Sequence, residues 1–355
     1  MQLPQRTFSE PVFWRAPTPE PLLLQAPNHL THDPPLRQMG GRAQGLAALQ
    51  SFLKARSLGY RGGISSPLSA PDACSRLSPY LSWGCLSMRE VVQATRGQLA
   101  ALPPQAVRHR AGLTAFISRL HWHCHFIQKL ESEPAIEWHN MHRGYDNLRE
   151  QEFNMAHFET LQAARTGWPM VDACVTMLRE TGWLNFRMRA MLVSVASYPL
   201  WLHWQPVGHW LAQQFLDYEP GIHWSQVQMQ SGTTGMNTVR IYNPIKQSQD
   251  QDPHGMFIRH YVPEVNDIPD AFIHEPWLWP GFDRQRYPLP IIDHVEEARR
   301  ARETLYQVKR KPENRALTDE LVSKHGSRKR RAHTSLPRSS SARKQIVKKQ
   351  LSLDF

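Results

Sequence analysis

The chain has 355 residues, 41% of them hydrophobic, and a formal net charge of +11. That is enough apolar material for one large core or two ordinary domains, and no run approaches the roughly eighteen apolar residues of a transmembrane helix. Four cysteines, Cys74, Cys85, Cys124 and Cys174, fit neither a disulfide framework nor a CxxC metal site, so they read as buried thiols of a cytoplasmic protein.

In chain order, residues 1–40 come first. They carry Pro4, Pro11, Pro17, Pro19, Pro21 and Pro27 and no periodicity, the pattern of an extended arm rather than a secretory signal. From Gly41 helical patterns dominate. Leu46, Leu49 and Leu53 mark one helix face, and Leu113, Phe116, Leu120 and Ile127 mark another across 108–131. Val171, Cys174, Val175 and Leu178 give a third, with Asp172 after Pro169 suiting a helix start. Two further helical stretches occupy 184–216, broken near Pro199 and Pro206. Long loops are expected around 135–155 and 218–295. No alternating strands or βαβ rhythm emerge, so the fold class is all-α.

Charge is concentrated late in the chain. From Glu296 onward there are seventeen Lys/Arg against seven Asp/Glu. A helix is plausible over 293–311, and Ser327-Arg328-Lys329-Arg330-Arg331 and Ser339-Ser340-Ser341 have the composition of disorder. The division is then an arm over 1–40, a helical domain over 41–295 and a basic tail over 296–355, with a polyanion such as DNA as the natural partner of the tail.

Four stretches carry the chemistry. Tyr60 is followed by Ser75-Arg76-Leu77-Ser78-Pro79-Tyr80-Leu81-Ser82-Trp83-Gly84, which sets hydroxyls and a guanidinium before a helix start, groups that bind phosphate. Next come Thr166-Gly167-Trp168-Pro169-Met170-Val171-Asp172-Ala173 and Gly182-Trp183-Leu184-Asn185-Phe186-Arg187-Met188-Arg189. The last runs from Asp217-Tyr218-Glu219-Pro220-Gly221 through Arg240-Ile241-Tyr242-Asn243-Pro244 to Asp252-Pro253-His254-Gly255-Met256-Phe257-Ile258-Arg259.

In this order and spacing the four resemble the FAD-binding domain of photolyases and cryptochromes, over roughly residues 41–285. The resemblance implies a helical domain holding FAD folded into a U. By motif position Tyr60, Cys74, Ser75, Arg76, Leu77 and Ser78 would cradle phosphates and ribityl chain. Trp122 and His123 would border flavin and substrate cavity, and Trp183 is the family's tryptophan in the GW motif. Arg189 and Asp217 match a pair beside the isoalloxazine, Glu219 is the second acid of a D-x-D pair, and His223 falls opposite flavin N5. There a histidine would tune redox and protonation.

The departures from the family pattern bear on activity. Arg119 stands where dimer-repair enzymes carry Glu, His123 where they carry Arg, Phe186 where they carry Asn, and Met229 where they carry a second stacking Trp. The paired histidines of (6-4) repair are absent from 185–191. A damaged base would therefore meet Trp122, Arg119 and Met229, and Arg119 favours an anionic or electron-rich ligand. In the electron relay Trp204 matches the middle tryptophan and Val227 replaces the flavin-proximal one, leaving Trp201, Trp210 and Trp224 as alternative carriers. The family's antenna domain has no counterpart in forty Pro-rich residues, so no antenna chromophore is expected. His121 and His125 share a helix face without a nearby acid to complete a metal site, and no metal is expected.

The last residues, Gln350-Leu351-Ser352-Leu353-Asp354-Phe355, resemble the short peptide by which bacterial DNA-processing proteins dock on the sliding clamp, with Gln350, Leu351, Leu353 and Phe355 as anchors. The expected function is a photolyase-like FAD lyase acting on DNA by electron transfer. A cryptochrome-like blue-light sensor without repair and a non-photochemical DNA or clamp adaptor are the alternatives.

Overall fold

The computed structural model describes residues 33–325. In chain order the helices are α1 (Arg42–Lys54), α2 (Tyr60–Gly63), α3 (Ala70–Ala73), α4 (Ser78–Ser82), α5 (Met88–Ala101), α6 (Val107–Ser132), α7 (Met155–Gln162), α8 (Pro169–Thr181), α9 (Phe186–Ser197), α10 (Trp204–Gln214), α11 (Pro220–Ser231), α12 (Pro244–Gln251), α13 (Met256–Tyr261), α14 (His294–Arg310) and α15 (Pro312–His325). Among the described residues there is no strand, as the periodicity implies.

The helices begin where local chemistry allows. Ser87 and Glu90 form a reciprocal capping box on α5, each side chain serving the other's backbone N–H. Pro169 opens α8, and Gly182 ends it in the left-handed region at φ 64. A side chain there would be strained and would also strike Leu216. Asp172, fully buried, accepts from the Thr166 amide and hydroxyl, the Gly167 amide and the Tyr287 hydroxyl. That carboxylate ties the turn before α8 to the chain more than a hundred residues later. Asp252 does the same for α13 by accepting the Ile258 amide at 3.0 Å.

Two cores result. The larger gathers the inner faces of α8, α9, α10, α11 and α13 around Trp168, Trp204 and Trp224. The smaller joins α1, α5 and α6 through Phe52, Val91, Leu113 and Phe116, with Tyr60, Leu77 and Tyr80 between them. The long helix α6 packs along α11 as well as α5. Gly221 permits the first of these approaches, since a Cβ there would lie 2.7 Å from the Ile127 Cα.

Four expectations change. The span 218–295, read as loop, contains α11, α12 and α13. The interval 296–325, assigned to the tail, is helical and docked: α14 buries Ala301, Leu305 and Val308 at helical spacing against Tyr145 and Tyr198. Charged residues fill its other faces and mask that narrow apolar stripe in the composition. Residues 36–39, assigned to the arm, bind the body, with the Leu36 amide on the Glu180 carbonyl at 2.8 Å and the Tyr80 hydroxyl on the Met39 carbonyl at 2.8 Å. Of the cysteines, Cys174 is buried and the other three are half-buried. Residues 1–32 of the arm and the residues after 325, the clamp-like peptide included, lie outside the described residues.

Candidate functional site

The site is assembled at the seam between the two cores. Arg56 organises its first wall by donating to the carbonyls of Ala48, Asp72, Cys74 and Ser75, which fixes the loop before α4. Sequence reading passes over Arg56 because its role is to serve backbone oxygens, which no motif encodes. The loop then turns through Arg76, held at φ 60. That conformation costs a non-glycine residue on the order of 1 kcal/mol. Three contacts hold it there. The guanidinium carbon lies 3.9 Å from the Trp183 ring centroid. Gln38 accepts from Arg76 Nε at 3.1 Å and donates to the Arg76 carbonyl at 2.8 Å. Gln38 belongs to the docked end of the expected arm and was likewise missed.

Arg189 and Asp217 meet at 2.8 Å, with the Asp217 side chain only 4% exposed. Arg189 also donates to the Leu184 carbonyl and stacks 4.0 Å from the Phe215 ring centroid. The second Asp217 oxygen is buried without a partner. Arg76, Arg189, Asp217 and Cys74 lie close enough to influence one another's charge, and burial pushes the Cys74 thiol up to about 11. Tyr60, buried beside Cys74, is within hydrogen-bonding reach of Arg119, and burial raises its hydroxyl. The structure thus brings Tyr60, Cys74, Arg76, Trp183, Arg189 and Asp217 together. Ser75 is half-buried beside them and Ser78 opens α4, whereas the Leu77 side chain is sunk in the smaller core and leaves only its backbone for a ligand.

His223 adjoins this cluster on α11. Its Nε2 lies 2.9 Å from the Gly208 carbonyl, which can only accept, so Nε2 carries the proton. Burial pushes the imidazole down to about 4, with the Gly208 bond opposing and Arg189 adding to the shift. The ring is therefore neutral at pH 7. His123 on α6 is also pushed down by burial, against the pull of Glu219, and its Nδ1 is buried without a partner. One residue earlier, Trp122 is 37% exposed and packs on Phe126 and His125. Met229 is half-buried on α11.

Behind His223 runs an aromatic series. Its ring centroid is 4.8 Å from that of Trp224, which lies 5.9 Å from that of Trp204. Both indoles are fully buried, and each N–H is satisfied, Trp224 by Tyr218 and Trp204 by Asn140 at 2.6 Å. Gly208 makes room for this, since a Cβ there would sit 2.6 Å from Trp224. Among the described residues no group of three or more His, Cys, Asp or Glu is placed to hold a metal ion, and no helix is long and apolar enough to cross a membrane.

A helical body with guanidinium groups gathered over one buried carboxylate is the frame of a domain that binds a large anionic cofactor. Residues 116–307 match the family described as the FAD binding domain of DNA photolyase, and the chain belongs to that family. It is 31% identical to the deoxyribodipyrimidine photo-lyase of Escherichia coli over 250 residues, 68% of this chain and 51% of that protein. Two solved structures share the fold. A class III photolyase from Agrobacterium tumefaciens aligns with TM-score 0.68 at 26% identity, over 76% of this chain and 56% of that one. A Synechocystis cryptochrome aligns with TM-score 0.67 at 25% identity, over 77% and 58%. The chain spans about half the length of the curated relatives it matches.

FAD is the cofactor of this family, and the residues present suit it. Two arginines, Arg76 and Arg189, act on the single buried carboxylate of Asp217, a surplus of positive charge for a diphosphate. The unpartnered buried oxygens of Asp217 and Asn185 and the unpartnered His123 nitrogen are hydrogen-bonding groups awaiting a polar ring system.

Proposed function

We propose that the protein is a light-driven DNA lyase that repairs a damaged base held beside Trp122, acting in the cytoplasm where its DNA lies. When bound and reduced, FAD supplies the electron under blue light. The observation that carries this reading is the closed cluster of Arg76, Arg189 and Asp217 with an exposed indole, Trp122, on the helix that also supplies Arg119 and His123. In it Tyr60, Cys74, Ser75, Arg76, Leu77 and Ser78 hold the phosphate and ribityl portion. Trp183 positions Arg76. Arg189, Asp217, His123 and Glu219 orient the ring end.

His223 serves as a neutral group whose remaining nitrogen, Nδ1, accepts hydrogen bonds. At neutral pH it holds no second proton to give away. Trp122 offers a face on which a flipped base stacks, worth about 1–3 kcal/mol. Met229 supplies the opposite apolar contact. Trp224 and Trp204 form the route by which electrons reach the site, in place of an aromatic residue at Val227. Gln350, Leu351, Leu353 and Phe355 dock the chain on a sliding clamp.

The test is the absorption spectrum in the dark and after blue light with a reductant, followed by turnover of ultraviolet-damaged single-stranded and duplex DNA. Flavin bands near ~450 nm that bleach, with loss of lesions in light only, are expected. Protein that stays colourless after incubation with FAD would sink the assignment. A sensor without repair is the second reading, favoured by Arg119, Phe186 and Met229 at positions where repair enzymes differ. It expects light to change protease sensitivity with no lesion turnover.

A further inference from the structure

Helices α14 and α15 follow one another across Lys311 and contact each other. Tyr306, Lys309 and Arg310 line the α14 side, and Arg315, Thr318 and Asp319 line the α15 side, around a groove of about 440 Å³. The spacing i, i+3, i+4 on each helix puts each trio on one face. The opposite face of α14 buries Ala301, Leu305 and Val308. Buried Asn314 fixes the junction: its side-chain amide donates to the Val308 carbonyl at 2.8 Å, and its backbone carbonyl meets His142 Nε2 at 3.1 Å. Thr318 also bonds His142 at 3.1 Å.

The charges are sorted along α14. Near its start Arg299 pairs with Glu303 and Arg300 with Glu297. At its end Lys309, Arg310 and, across the groove, Arg315 are exposed and have no carboxylate partner among the described residues. Asp319, the carboxylate on the wall, is already engaged. Tyr306 stands at 40% exposure beside these cations. The chain's remaining residues, 326–355, carry nine Lys/Arg and one Asp, so they add positive charge to this end of the sequence.

We propose that the α14–α15 groove binds single-stranded DNA independently of sequence, its phosphates on Lys309, Arg310 and Arg315 and a base stacked on Tyr306. The surface is separate from the flavin site, and all of α15 lies beyond the residues matched by the family model. The identity of the strand as DNA rests on the function proposed above. Arginine and lysine meet phosphates, and an exposed ring meets unpaired bases, a combination that favours single strands over duplex.

The test uses the full chain in the dark and fluorescein-labelled, undamaged oligothymidylate of about 16 nucleotides, with a duplex of equal length, titrated by anisotropy across a salt series. The triple variant Lys309→Gln, Arg310→Gln, Arg315→Gln should weaken single-strand binding about tenfold or more and reduce the salt slope by about two, at ~0.7 per phosphate contact. Tyr306→Ala should weaken the single strand and leave the duplex and the slope unchanged. Every substituted side chain is exposed, so a melting curve matching the parent is the folding control. Parent-like binding by the triple variant overturns the groove, as does tighter groove-dependent binding of polyglutamate, which would mark an acidic protein partner. A parent protein that binds neither DNA sinks the DNA reading itself.

Discussion

The imidazole of His223 and the carbonyl of Gly208 lie 2.9 Å apart, and this bond decides the tautomer of the ring, while burial decides its charge. Burial holds the ring down to about 4, below the ordinary 6.5. A histidine depressed in the folded state takes up its proton first in the unfolded chain. Its contribution to stability is therefore present above pH 6.5 and is lost as pH falls from 6.5 toward 4. His223→Gln should remove that part of the acid sensitivity. Urea denaturation of parent and variant at pH 4.5 and 7 measures it; equal pH dependence would show that the ring is not buried neutral.

Arg189→Met should be the most damaging single change in the site. It leaves the Asp217 carboxylate, only 4% exposed, without its cation. Stranding a buried charge costs about 3–5 kcal/mol. The paired variant Arg189→Met with Asp217→Asn should recover much of that stability without recovering flavin. Denaturation midpoints and the flavin retained through gel filtration separate the two effects, and a single variant as stable as the parent would count against a buried pair.

The proposed electron route predicts an order of effects. Trp224→Phe and Trp204→Phe should each slow flavin photoreduction, and Val227→Ala should not. The rate of bleaching under blue light with an external reductant reads this out. Unchanged rates in both tryptophan variants would mean that the aromatic series is core packing only. Gly208→Ala should resemble Trp224→Phe, because the added carbon displaces the indole.

If α14 belongs to the folded body, Leu305→Ala, at a residue 1% exposed, should cost about 2–5 kcal/mol in thermal unfolding. The exposed Arg302→Ala should be close to neutral. Equal melting of the two variants would restore a domain boundary near 296.

The helical stripes of Leu49–Leu53, Leu113–Leu120 and Val171–Leu178 were legible because burial of one face leaves a local period in the chain. The ordered motifs around Arg76, Trp183, Arg189 and Asp217 were legible for a different reason: their residue types and order resemble a family. The α14 stripe was not read as core, since three apolar residues among many charges look like a tail until a neighbour, here Tyr145 and Tyr198, supplies the opposing surface. Arg56 and Gln38 were invisible because they act on backbone groups brought near only by folding. For the same reason the sequence by itself determined that there is a helical domain and that its ordered motifs resemble a FAD-binding family, while only the tertiary structure decided that His223 is neutral and turned to Gly208 and that Trp224 packs on Trp204. Periodicity is a property of neighbours along the chain; charge state and ring-to-ring contact belong to neighbours across it.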